Sequence, residues 1–161
     1  MPEKAFQDYY PDYWSHCFGC GRLNEHGHQL KSFWDGDETV AYYTPESYHI
    51  AIPGYVYGGL IASLIDCHGT GSAAAAAYKA AERSMDSSPP FRFLTGTLTV
   101  KYIKPTPLGP PIELRGKIRE VKGRKVTVDI TVSVEGEITA KGEVIALQVP
   151  EHLKFEPPQK K

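Results

Sequence analysis

The chain has 161 residues, 41% hydrophobic and 23% charged, enough for one compact domain with its own core and too few for two ordinary ones. That balance excludes a mostly disordered chain, and a formal charge of −1 offers no general pull toward nucleic acid or anionic lipid. The longest apolar stretches, Leu60 to Ile65 and Ala73 to Tyr78, fall far short of the ~20 residues that span a membrane.

The opening Met-Pro-Glu-Lys-Ala-Phe-Gln-Asp has no apolar run, so a signal peptide is not expected. Three cysteines, Cys17, Cys20 and Cys67, cannot complete a disulfide framework, and a reduced, cytoplasmic setting is expected. Residues 1–27 read as an irregular arm whose rings (Tyr9, Tyr10, Tyr13, Trp14) pack on the domain and which carries a Cys-x-x-Cys turn. Residues 28–150 form the main domain, and residues 151–161, with two prolines and two final lysines, form a tail.

Within the domain, His28–Trp34 and Glu38–Tyr43 are β-rich runs around a hairpin turn at Asp35-Gly36-Asp37. Gly58 to about Glu82 is rich in Ala, Leu and Ile without proline, the best helix candidate. Four strands follow: Leu94–Ile103, Ile112–Val121, Lys125–Val134 and Glu137–Val149. In the third of these, Val126, Val128, Ile130, Val132 and Val134 alternate with polar residues, a half-buried strand. Turns at Lys122-Gly123 and Glu135-Gly136 make the last three an antiparallel meander. The order β-β-α-β-β-β-β predicts an α+β layer architecture.

The helix start is the most informative segment. Gly58 and Gly59 sit where amide N–H groups lack intrahelical partners and the dipole is positive, a place for an anion or oxyanion. Asp66 lies about two turns further in. Its neighbours on that face, Ala62, Ser63, Gly69 and Thr70, are all small, leaving room for a close backbone, a substrate or water. A competing reading has Asp66 capping a second helix or bonding a nearby hydroxyl.

Cys17 and Cys20, with His16, His26 and His28 nearby, have the composition of a zinc site. Only one cysteine pair is present, and a tight turn is the preferred reading. Cys67 reads as a small core residue, since His68, adjacent on the helix, points away from it.

The run Tyr57-Gly58-Gly59-Leu60-Ile61-Ala62-Ser63-Leu64-Ile65-Asp66 resembles the His-Gly-Gly…Asp helix start of hot-dog-fold thioesterases, in the PaaI-like acyl-CoA thioesterase group. Thr99 to Gly109 resembles the family's third strand and turn, and Cys17-Phe-Gly-Cys-Gly21 with Asn24 and Gly27 resembles a subgroup's N-terminal motif. The resemblance implies a curved antiparallel sheet around one long helix, and a homodimer or dimer of dimers with its site between subunits. It implies hydrolysis of acyl-CoA thioesters without any cofactor or metal. Asp66 matches the catalytic carboxylate, acting as base or nucleophile. Gly58 matches the oxyanion amide, and Thr95 a water-positioning hydroxyl supplied by the other subunit.

Two positions depart from the pattern: Tyr57 replaces the family's histidine, and Ala51 replaces its Asn or Gln, for which His49 is a candidate substitute. These departures favour an alternative, a hot-dog protein that binds acyl-CoA or another apolar ligand without turnover. A third reading is an interaction domain organised around a metal at Cys17 and Cys20. Coenzyme A phosphates would call for cations, with Lys101, Lys104 and Arg124 as candidates alongside Arg119 and Lys122.

Overall fold

The computed structural model describes residues 3–155. Its main helix, α1 (Gly58–Ala80), is buried almost all round, from Leu60 and Leu64 through the alanine run to Tyr78. A helix apolar on every side must be enclosed, and here a single sheet encloses it. The strands are β1 (Ser32–Asp35), β2 (Glu38–Tyr43), β3 (Phe93–Tyr102), β4 (Ile112–Lys122), β5 (Lys125–Val134) and β6 (Glu137–Gln148). They form one antiparallel sheet in the order β1-β2-β4-β5-β6-β3, and α1 touches all six.

The predicted order of elements is the observed one. Val126, Val128, Ile130, Val132 and Val134 of β5 are all buried against the helix side. Full burial of such side chains is worth ~1.5–3 kcal/mol each. The first strand is shorter than expected, starting at Ser32 rather than His28. The backbone from His28 to Leu30 pairs instead with the Cys-x-x-Cys loop, through His28 N–H to Phe18 O (2.8 Å) and Leu30 N–H to Gly19 O (3.1 Å).

Gly69 sits mid-helix, where glycine costs ~1 kcal/mol relative to alanine. The sheet explains it: a Cβ there would lie 2.4 Å from Val144 Cγ2 of β6. This part of the small face serves close packing rather than space for a ligand.

The arm contains two short 3-10 helices, Phe6–Tyr9 and Asp12–Trp14. Phe6 is buried, edge-on to Trp34 at 5.7 Å. Gln7 is buried too, and it begins a chain of polar contacts into the core. Its amide binds Ser32 on both sides, Ser32 Oγ meets His68 Nδ1 (2.9 Å), His68 Nε2 meets Thr39 Oγ1 (3.1 Å), and Thr39 meets Ser72 Oγ (2.7 Å). His68 thus faces away from Cys67, and burial lowers its pKa to about 4. At the other end Phe155 lies against Trp14 and Leu153 O accepts from Arg92 (2.7 Å); residues 156–161 of the expected tail fall outside the described residues. No helix among those described is long and apolar enough to cross a membrane.

Candidate active site

Asp66 projects from the third turn of α1 into a cavity of about 310 Å³. Tyr10, Tyr13 and Trp14 of the arm, Phe91, and Phe93 and Leu94 of β3 supply most of its apolar wall. Burial raises the Asp66 pKa above the usual carboxylate value, a hydrogen bond from Thr95 opposes that rise, and the nearby Cys17 adds to it. Thr95 Oγ1 donates to Asp66 Oδ1 and also lies 3.2 Å from Thr70 Oγ1, whose hydroxyl bonds Asp66 O. The resemblance implied a Thr95 supplied by another subunit. In the structure it is the same chain's Thr95 that reaches Asp66, because β3 runs alongside α1 at this level.

The helix start is built separately. Tyr57 precedes α1 in extended conformation and gives no side-chain cap; its carbonyl takes the Leu60 N–H (3.2 Å), while the Gly58 N–H, at the first helical position, has no acceptor within the helix. Tyr102 OH donates to Gly58 O (2.6 Å), a contact the sequence did not announce. Gly59 leaves room for the Tyr57 ring, whose Cε2 would be 2.7 Å from a Cβ at that position. Gly58 lines a different cleft, with Val56, Ile61, Tyr102 and Lys104. Eight residues of helix separate Gly58 from Asp66, about 12 Å along the axis. Within one chain, therefore, the donor and the carboxylate do not face one acyl group.

One strand serves both ends. β3 starts at Thr95's level beside Asp66 and finishes at Tyr102 beside Gly58. Its pairing with β6 passes from Thr95↔Ala146 to Thr97↔Ile145, with Gly96 as the extra residue of a bulge. Phe93 and Thr95 face the helix before the bulge; Val100 and Tyr102 do so after it.

The remaining candidates are scattered. His49 is buried near the helix start; its Nδ1 accepts from Glu46 N–H (2.9 Å) and its ring packs among His28, Tyr43, Tyr48 and Tyr57. Lys104 pairs with Glu137 (3.0 Å) beside Gly58, Lys101 is exposed on β3, and Arg124 donates to Gln148 O (3.1 Å) at the β4–β5 turn. Arg119 pairs with Asp129 and Glu143 on the sheet surface.

The Cys-x-x-Cys loop holds a surprise. Cys17 and Cys20 meet Cys67 of α1: one thiol position from each lies within 4.8 Å of the other two. Cys17 Sγ is 3.8 Å from Cys67 Sγ, and all three are free thiols. The two neighbouring thiols, Cys20 foremost, pull the Cys17 pKa down, while their contacts with Cys17 push Cys20 and Cys67 up. Cys67 was visible beside Asp66, but nothing in a linear reading brings it to the distant pair.

A helix enclosed by a curved antiparallel sheet is the hot-dog fold, here with a carboxylate opening from the helix into an apolar cavity. Comparison with known proteins agrees. The family model described as thioesterase superfamily matches residues 53–141, and the chain belongs to the thioesterase superfamily, a family of thioester-hydrolysing enzymes. A solved thioesterase superfamily protein from Shewanella loihica PV-4 is 46% identical, with 88% of this chain and 100% of that chain covered and a TM-score of 0.66. The PaaI protein of E. coli, from the phenylacetic acid degradation operon, shares the fold at 12% identity, covering 76% of this chain and 81% of its own, with a TM-score of 0.62. The acyl-coenzyme A thioesterase THEM4 of Mus musculus is 31% identical over 96 residues, 60% of this chain; the match spans only 36% of THEM4.

Proposed function

We propose that the protein hydrolyses acyl-CoA thioesters as a homodimer, or a dimer of dimers, with each site shared between two subunits. The observation that carries this reading is the Asp66 carboxylate, held by Thr95, at the wall of an apolar cavity sized for an acyl group. Asp66 is the general base. The oxygen not engaged by Thr95 takes a proton from water and the water oxygen adds to the thioester carbonyl. As the C–S bond breaks, that proton passes to the departing sulfur, releasing coenzyme A and leaving Asp66 ionised again.

The carbonyl oxygen needs a donor, and Gly58 of the same chain is too far away. The edge strand supports a solution. β3 ends the sheet and is largely exposed along its length, an unpaired edge that invites a second copy. If two β3 strands pair antiparallel across a twofold axis, residue 102 of one comes beside the start of the other. The Gly58 amide of a second subunit then approaches Asp66. Such a donor is worth ~3–4 kcal/mol of barrier. Lys101 and Lys104, near that end of β3, are the cations that would meet the phosphates of coenzyme A in this reading.

A second reading, binding without turnover, is favoured by Tyr57 and Ala51, which break the family pattern at the helix start. One assay separates the two. Purified protein is incubated with aliphatic and aromatic acyl-CoAs while free thiol is followed. Release that vanishes in Asp66→Asn supports hydrolysis; tight binding of acyl-CoA with no release across the panel overturns it.

A further inference from the structure

We propose that Cys17, Cys20 and Cys67 form a binding site for a thiophilic divalent cation, with zinc the best fit. The argument begins with distance. A tetrahedral zinc with Zn–S bonds near 2.3 Å holds its sulfurs about 3.8 Å apart, and Cys17 and Cys67 already stand 3.8 Å apart. Cys20 completes a trio within 4.8 Å, so small side-chain rotations suffice to close the set.

The loop is shaped for this approach. Gly19 packs so tightly on α1 that a Cβ there would lie 2.3 Å from Cys67 Sγ; no other residue lets the Cys-x-x-Cys turn descend onto the helix. The turn is closed by Gly21 N–H to Cys17 O (2.7 Å). Two of the three sulfurs are in buried residues, while Cys17 and His16 border the cavity that Asp66 lines. All three cysteines line that cavity, so a bound ion would take its fourth ligand, a water, from that side. Soft sulfur ligands select zinc over calcium or magnesium.

The site ties the far end of the arm directly to α1, adding to the buried Phe6 and Gln7 contacts that hold its start. Apart from two short 3-10 helices, residues 3–31 have no regular structure, yet Tyr10, Tyr13 and Trp14 wall the cavity. Binding converts thiols to thiolates and releases their protons, and the energy of the metal–sulfur bonds becomes folding energy of the arm. The inference stands apart from the hydrolysis assigned above.

The test uses the full chain, purified without a metal-affinity step. Elemental analysis should find about one equivalent of zinc per chain, and the protein stripped by chelation should take up one cobalt ion with a thiolate-to-cobalt charge-transfer band. In Cys17→Ser and Cys67→Ser, metal content should fall more than tenfold. Both measurements on the unsubstituted protein remain decisive even if a variant fails to fold. Three thiols that titrate freely in the presence of equimolar zinc, with no cobalt band, overturn the proposal. Asp66→Asn should keep its metal while losing hydrolysis. Protein that is metal-free as purified, takes up no cobalt and still releases coenzyme A sinks this site alone, and metal-loaded protein that hydrolyses nothing sinks only the catalytic reading.

Discussion

Thr95 Oγ1 of β3 donates a hydrogen bond to Asp66 Oδ1 of α1, so one side chain from the sheet fixes the carboxylate that the helix presents. Burial raises the Asp66 pKa and this bond opposes the rise. A general base works when ionised, so kcat/KM should climb with pH through a limb lying above the ordinary carboxylate range. Thr95→Val removes the opposing bond and should move that limb to higher pH; an unmoved pH profile would show that Thr95 does not tune Asp66. Asp66→Asn should lower kcat by ~10²–10⁴.

The same raised pKa has a consequence for stability. A carboxyl that binds its proton more tightly in the fold favours folding below its unfolded pKa and loses that contribution as pH rises through the folded value. At neutral pH the desolvated charge opposes folding, so Asp66→Asn should melt higher than the unsubstituted protein near pH 7, with the gap closing in acid. Thermal unfolding across pH checks this; equal melting temperatures at pH 7 would refute it.

Gly58 occupies the first helical position, following an extended Tyr57. Proline is compatible with both features and lacks only the N–H. Gly58→Pro, with the Tyr102 ring shifting to admit it, should keep the fold and lose ~10²–10³ in kcat. Mixing this variant with Asp66→Asn tests whether sites are shared. In a random 1:1 exchange of subunits, half the dimers are mixed and each has one intact site, so activity should return to about a quarter of normal. Mixtures as inactive as their parents would place both groups in one chain.

His68, buried between Ser32 and Thr39, has its pKa lowered from 6.5 to about 4. A histidine that resists protonation in the fold contributes fully above its unfolded pKa and loses that contribution as pH falls. Between pH 6.5 and 4 the protein should lose about 3 kcal/mol through this group. Chemical denaturation of His68→Gln should show a flatter dependence in that window; an unchanged slope would assign the loss elsewhere.

Gly69→Ala sets two effects against each other. Alanine gains ~1 kcal/mol of helix propensity, but the new Cβ strikes Val144 at 2.4 Å, and overpacking of this kind costs ~1–3 kcal/mol. The clash should dominate. Denaturant midpoints should fall for Gly69→Ala and recover when Val144→Ala is added.

Most of the fold is written in short-range pattern. The alternation of β5, the glycine-marked turns and the proline-free run from Gly58 each depend on neighbours in the chain, and the strands and α1 lie where that pattern puts them. The site is legible only in pieces. Asp66 stands out because a charge follows six apolar or small residues, and Gly58 because glycines pair at a helix start. What brings Thr95 to Asp66, Tyr102 to Gly58 and Cys67 to Cys17 is the course of β3 and the arm across α1. Those contacts join residues far apart in sequence, and no local period encodes them. His28–Leu30 shows the converse: strand-like letters whose backbone pairs with a loop because Phe18 and Gly19 reach it first.

The bulge at Gly96 changes the parity of β3. Side chains on a strand alternate in direction, so Thr95 and Tyr102, seven positions apart, would face opposite sides of an unbroken strand; with one extra residue between them, both look onto α1. Loss of that single residue would turn one half of the machinery outward while leaving every letter of the other half in place. Insertions or deletions in this stretch are thus tolerable for aim only in twos, and each such pair would stretch or shorten the span from acid to donor by about 7 Å.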